Sequence, residues 1–219
     1  MYEYSQYHGE IQEGKYIDQV LREYFPDPAY KGVFFDVGAF EPIRISNSYH
    51  FERNGWTCYC FEANPAGIPL LKQHRANVFN YAISDVDKEE VTFHVYGRSE
   101  WTASYSAINI SDEYRKIFGD IDSSLVTKIQ VPQKSLNSII QSEIPTLTTI
   151  DIMSLDIEGG EHDCLKGLDL HKYKPQVMVI ENANPSNKTI QDYLASFGYK
   201  LDKQVSYNQY YVSDTYVRA

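Results

Sequence analysis

Cysteine is scarce in this chain: only Cys58, Cys60 and Cys164 are present. Their odd number and irregular spacing exclude a disulfide framework and a paired metal-thiolate motif. Cys58 and Cys60 alternate within TCYCF at strand spacing, so all three are read as small core residues of a protein from a reducing compartment. Long apolar runs are absent as well. Nothing approaches the ~18 residues of a membrane span, and MYEYSQYHGE lacks the basic and apolar regions of a signal peptide. The expectation is a cytoplasmic protein with no membrane span. Basic residues are outnumbered, 20 Lys and Arg against 30 Asp and Glu, for a formal net charge of -10. Such a field repels a phosphate backbone and opposes binding by counterion release, which excludes nucleic acid as a partner. Repeats and low-complexity segments are also missing. What is left is a globular balance over 219 residues, enough for a single domain spanning 1–219 with its own core.

Apolar runs and amphipathic stretches alternate along the chain. IQEGKYIDQVLREYF sets Tyr16, Ile17, Val20, Leu21 and Tyr24 at helical spacing before PDP stops it, which makes residues 1–30 an N-terminal helical cap. GVFFDVG reads as a strand, SNSYHFERNGW as a short helix closed by Gly55, and TCYCFE as a second strand. NPAGIPLLKQH reads as a helix with Pro65 near its first turn, and VFNYAIS as a third strand. VTFHVYG alternates Val91, Phe93 and Val95 with Thr92, His94 and Tyr96, the pattern of a half-exposed strand. Residues 98–130 are the least patterned and form a substrate-side insertion. Helices follow at KSLNSIIQ, EHDCLKGL and KTIQDYLASFG, strands at IDIMSL and QVMVIEN, and a closing hairpin at YKLDKQVSYNQYYVS. This alternation predicts an α/β fold, a mostly parallel sheet with helices on both faces and a C-terminal antiparallel hairpin at its edge.

In such sheets ligands sit beyond the carboxyl ends of the strands. Polar residues stand where the apolar runs stop: Asp36 after GVFF, Glu62 after TCYCF, Ser84 and Asp85 after NYAI, Asp156 and Glu158 after IDIMSL, and Glu181 after VMVI. A lone acid there is a cap or a turn residue; the recurrence points to a shared crevice. Glu62 follows Asp36 by one βαβ unit, the place of a carboxylate that accepts from both ribose hydroxyls. Gly38 lets the backbone approach the ligand. The glycine-rich pyrophosphate cradle is missing, since GAFEPI puts Phe40 and Glu41 where it needs open backbone. A nucleoside that carries a cation fits better than a dinucleotide, and S-adenosylmethionine is such a ligand.

SQYHGE, FFDVGAFEP with SNSYHFERNGW, CFEANP, NYAISD and LDIEGGEHDCLKGL, in that order over about residues 5–182, closely resemble the FkbM family of S-adenosylmethionine-dependent methyltransferases. The resemblance implies a Rossmann-like class I methyltransferase fold with a seven-stranded sheet, and O-methylation of sugars or sugar-bearing metabolites. Carried over by position, Asp36, Gly38 and Ala39 resemble the motif along the methionine part of the cofactor. Glu62 and Ala63 resemble its ribose and adenine contacts, and Asn80, Ala82 and Ser84 the loop beside the adenine. Asp156 and Glu158 resemble the acidic motif after the fourth strand. Ser46 and Asn47 match a Ser-Asn pair, with Asn47 assigned to the acceptor side and Ser48 standing where Thr is usual.

A sugar hydroxyl is a weak nucleophile at neutral pH, so the site needs a proton acceptor or a metal. Two readings stay open. In one, Asp156 or His50 is a general base, His50 being equally at home as a packed core histidine. In the other, Asp156, Glu158 and Glu181 hold a hard divalent cation, Mg or Mn, through oxygen ligands. Glu161, opening a helix, reads as a charge favoured by the helix dipole. Trp101, Ser104 and Tyr105 are candidates for a carbohydrate acceptor pocket. Gln6, Tyr7 and Glu10 are candidates to fold over the cofactor. The alternatives to a small-molecule enzyme are methylation of a peptide or lipid-linked acceptor, or a catalytically silent module in glycan assembly.

Overall fold

The run VFFDV becomes strand β3 (Val33–Val37) at the middle of the main sheet. A computed structural model describes residues 6–96, 106–108 and 126–217. In chain order its elements are β1 (Ile11–Gln12), β2 (Lys15–Tyr16), α1 (Ile17–Arg22), β3, α2 (Tyr49–Arg53), β4 (Thr57–Phe61), α3 (Ile68–His74) and β5 (Asn77–Phe79). Then come β6 (Ala82–Ile83), β7 (Lys88–Tyr96), β8 (Val126–Lys134), α4 (Leu136–Glu143), β9 (Ile152–Leu155), α5 (Glu161–Lys166), β10 (Val177–Glu181), α6 (Thr189–Ala195), β11 (Tyr199–Val205) and β12 (Asn208–Ser213).

The main sheet has seven strands in the order β11, β12, β10, β9, β3, β4, β5. β10, β9, β3, β4 and β5 run parallel, whereas β12 pairs antiparallel with both β10 and β11. The strand order reverses between β3 and β9, and that switch point is where an open α/β sheet leaves a crevice. Side chains alternate across the sheet. Phe35, Val37, Met153, Leu155, Met178 and Ile180 join the cluster that holds Leu136, Ile139, Leu165 and Leu194 of α4, α5 and α6. Phe34, Ile152, Val177 and Val179 join Ile17, Val20 and Leu21 of α1 and Phe51 of α2. All three cysteines are free and buried in these cores, Cys60 beneath Leu71 of α3.

Local chemistry explains most boundaries. Ser135 caps α4 by accepting from the Ser138 N–H at 3.2 Å. Pro69, not Pro65, occupies the first turn of α3. Three expectations change. IQEGKY does not begin the helix: Ile11–Gln12 and Lys15–Tyr16 form an antiparallel hairpin, with Gly14 at φ +79° in the turn, and α1 starts only at Ile17. VFNYAIS splits between β5 of the main sheet and β6 of a separate sheet in the order β6, β8, β7. The region 98–130 ends in regular structure, because Val126 opens β8 and pairs with Tyr96. Among the described residues no helix is long and apolar enough to cross a membrane.

Candidate active site

Backbone hydrogen bonds lock the strand ends together before any side chain contributes. The N–H groups of Gly38 and Ala39 both donate to the Phe61 carbonyl at 2.9 and 3.1 Å, Glu62 N–H donates to Phe79, and Asp156 N–H to Val37 at 3.0 Å each. Gly38 sits at φ +91°, and a Cβ there would lie 1.8 Å from the Asp156 carbonyl oxygen. Glycine is therefore demanded by the adjacent strand end, a different reason from the ligand approach expected of it.

A cavity of about 230 Å³ opens over this crest. Gly38, Glu62, Ala63, Ala82, Ser84 and Asp156, all expected at the cofactor, line it. Glu62 is fixed from the side: its carboxylate accepts the Phe40 N–H at 3.0 Å and the Asn64 N–H at 2.6 Å. Burial raises its pKa and these two donors oppose the rise. Asn80 does not line the cavity; its amide donates to the carbonyls of Glu62 and Ala63 at 2.8 and 3.0 Å and so positions the β4 end. Ala39 is buried against Cys60 and Leu71.

Asp36 also stays out of the cavity lining. It is the fourth residue of β3, not its tip, and its carboxylate accepts from the Ser48 hydroxyl. Ser48 in turn accepts from Arg75 at 2.6 Å, and Arg75, its side chain fully buried, also donates to Ser46, to the Pro42 carbonyl and to Glu52. Burial pushes the Asp36 pKa up and the Arg75 charge pulls it back. The Ser-Asn-Ser segment is thus an anchor between α2, α3 and β3. Its Asn47 donates to Ser154 of β9 at 3.1 Å and lies away from the cavity lining.

On the far side of Gly38, Asp156, Glu158 and Glu181 bring one carboxylate oxygen each within 4.8 Å of one another. The expected strand spacing is not the cause. β9 ends at Leu155, and a turn with Glu158 at φ +60° and Gly159 at φ +102° swings Glu158 back. Glu161 pins that turn by accepting the N–H groups of Ile157 and Gly159 at 3.1 and 3.0 Å, a specific role in place of a dipole charge. Burial pushes its pKa up to about 7. Burial raises the pKa of both Glu181 and Asp156; the Asp156 charge pushes Glu181 up further, whereas hydrogen bonding from Glu181 holds Asp156 down, so Glu181 is the member of the pair that keeps its proton. Glu10 adds to the negative field at Asp156.

His50 is buried elsewhere. Its Nδ1 lies 2.9 Å from the Gln6 carbonyl, its ring packs on Tyr7 at 4.7 Å between centroids, and burial lowers its pKa. It does not line the cavity. Trp101, Ser104 and Tyr105 fall outside the described residues. Several lining residues were not singled out in the sequence: Tyr81, Phe93, Ser106, Ile108 and Gln133. Phe93 and Gln133 belong to the small sheet, whose apolar face packs Phe93, Val131 and Ala82 over Ala63. The Val91, Phe93, Val95 alternation reveals that face in the sequence but not what it covers.

Known proteins provide the context for this geometry. The 2.20 Å crystal structure of the methyltransferase FkbM from Methylobacillus flagellatus KT superposes at TM-score 0.49 with 14% identity, over 87% of this chain and 47% of that protein. This chain thus spans about half of that protein's length. No curated protein sequence matches. The model of the methyltransferase FkbM domain matches residues 36–201, well over half of the chain and every strand end described above. The chain belongs to the FkbM methyltransferase domain family.

Proposed function

We propose that this protein transfers a methyl group from S-adenosylmethionine to a hydroxyl of a sugar or glycosylated small molecule. The observation that carries the reading is the charge of the cavity. Among the described residues its wall holds the carboxylates of Glu62, Asp85, Asp156, Glu158 and Asp163 against one lining lysine, Lys88, with Asp85 and Asp163 also paired to Lys166 outside the lining. Such a surface favours a cationic nucleoside and repels a pyrophosphate. Its volume, just under the ~300 Å³ at the lower end of ligand pockets, suits one nucleoside rather than two.

When bound, S-adenosylmethionine supplies a methyl group activated on a sulfonium. The protein's part is binding, placement and proton handling. Glu62 holds a ribose diol, since its oxygens are already oriented by two backbone donors. Gly38, Ala63, Ala82 and Ser84 shape the remaining wall. Asp156, with Glu181 beside it, takes the proton of the acceptor hydroxyl; a raised carboxylate pKa brings the base closer to the working pH. His50 is the weaker candidate because it does not line the cavity. The free, buried thiols fit a reducing, cytoplasmic setting.

The convergence of Asp156, Glu158 and Glu181 favours a second reading, in which they hold Mg or Mn and the cation lowers the pKa of the hydroxyl. The deciding experiment is turnover with labelled methyl donor over a panel of neutral sugars and glycosides, with and without a chelator. Incorporation that survives chelation supports the base reading, and its loss with recovery on added Mg or Mn supports the metal. An absence of S-adenosylhomocysteine binding would remove the methyltransferase reading altogether.

A further inference from the structure

Strand β8 carries a polar residue on its buried face. Its buried positions are Val131 and Gln133, two apart and so on one side of the sheet, with the exposed Pro132 between them. Val131 packs with Phe93 and Ala82 against Ala63, the residue that follows Glu62. Gln133 continues that face and lines the cavity, only 3% exposed.

Both the backbone and the side chain of Gln133 are held. The backbone lies between Ala82 of β6 and Lys88 of β7, and Nε2 donates to the Val86 carbonyl at 2.8 Å. A carbonyl accepts only from the NH2 arm of the amide, so this bond fixes Oε1 as the other arm. Among the described residues Oε1 accepts from no donor. An amide oxygen so buried and left without a donor is costly, and calls for a partner supplied from the cavity. The rest of this end of the cavity is suited to a flat ring. Phe93 and Ile108 are apolar walls, and Tyr81 adds an aromatic one whose ring carries Lys134 Nζ at 4.5 Å from its centroid. Lys134 is itself held by Glu143 at 3.2 Å.

We infer that Gln133 is the specificity-determining residue for the base of the methyl donor: its Oε1 accepts an N–H of the 6-amino group of adenine and selects against a 6-oxo purine. The inference rests on the S-adenosylmethionine reading and adds a recognition group from the small sheet, away from the strand ends of the main one. The order of the residues supports it. Glu62 presents oxygens already oriented for the ribose, Ala63 beside it packs under the small sheet, and Gln133 stands on the buried face of that sheet. A base joined to a ribose at Glu62 extends over Ala63 toward Gln133. A 6-oxo purine would set carbonyl against carbonyl there, and a site built to pair an N–H discriminates strongly against an analogue that lacks it.

The test is calorimetry with three compounds that differ only at C6 of the purine: S-adenosylhomocysteine, its 6-deamino analogue and S-inosylhomocysteine. The parent should bind S-adenosylhomocysteine at least about tenfold more tightly than either of the others. Gln133→Met keeps the length but has no strong acceptor, and Gln133→Asn withdraws the carbonyl by one methylene; each should cut the preference to within about threefold. The loss should fall on S-adenosylhomocysteine while the 6-deamino analogue keeps its affinity, a split that a mere loosening of β8 would not produce. In the parent, the Gln133 side-chain amide resonance should shift further with S-adenosylhomocysteine than with the 6-deamino analogue. Equal binding of the three compounds by the parent, a preference that survives in whichever variant folds, or an amide resonance indifferent to the 6-amino group would overturn the assignment of Gln133 alone. An absence of binding by all three would instead overturn the methyltransferase reading beneath it.

Discussion

Gly38 and Asp156 belong to neighbouring strand ends so close that a single added carbon at position 38 would stand 1.8 Å from the Asp156 carbonyl oxygen. That contact, together with the φ of +91°, fixes how far apart the cofactor wall and the acid cluster can be.

Gly38→Ala should therefore damage both sides at once. The β9 end must move or the β3 end must unwind, at a cost of at least about 2 kcal/mol. Urea denaturation should show the loss, and calorimetry should find S-adenosylhomocysteine binding reduced more than tenfold. Retained affinity would mean that the crest tolerates separation.

Glu62 offers a cleaner probe of cofactor recognition. Glu62→Gln keeps the side chain's volume but loses charge, and removing one charge-assisted partner costs about 1.5–3 kcal/mol. The dissociation constant for S-adenosylhomocysteine should rise roughly tenfold to a hundredfold. Unchanged binding would remove the ribose assignment.

The Asp36, Ser48, Arg75 chain should behave oppositely. Arg75→Met strands a buried carboxylate, which costs about 3–5 kcal/mol; Ser48→Ala should cost about 1–3 kcal/mol. Folded Ser48→Ala protein should bind S-adenosylhomocysteine within about threefold of the parent. A large affinity loss in stable protein would restore Asp36 to the ligand.

Glu161 and Asp18 contribute to the pH dependence of stability, in the same direction as the other buried carboxylates. Burial raises their folded-state pKa values to about 7 and about 6, above the unfolded values near 4. The folded state thus binds the extra protons, so their contribution is fully present below about pH 4 and is lost as pH rises through about 7. Thermal midpoints should fall from pH 5 to pH 7.5, with Glu161 contributing on the order of 3 kcal/mol. Glu161→Gln should flatten the slope, and a midpoint rising over that range would contradict the assignment.

Much of this was legible in the sequence because buried parallel strands announce themselves. VFFDV, TCYCF, IMSL and VMVIE are short apolar runs ending in acids, and each became a strand leading to the crest. The direction of Asp36 was not legible, since its neighbours Val37 and Phe35 face a different core and only Arg75, distant in sequence, reveals its partner. The hairpin at 11–16 was hidden because Tyr16 and Ile17 continue a helical spacing that Gly14 interrupts. The NANPSN loop carried no periodic signal, and its Asn carbonyls serve backbone turns that a sequence pattern does not locate.

The raised pKa values of the buried Asp156 and Glu181 pair give the site a thermodynamic signature. A cation entering beside Asp156 alters the ionisation of that pair. Occupancy of the cavity is then linked to proton release, and by reciprocity the affinity for the cation depends on pH. The heat of binding would vary with the ionisation enthalpy of the buffer.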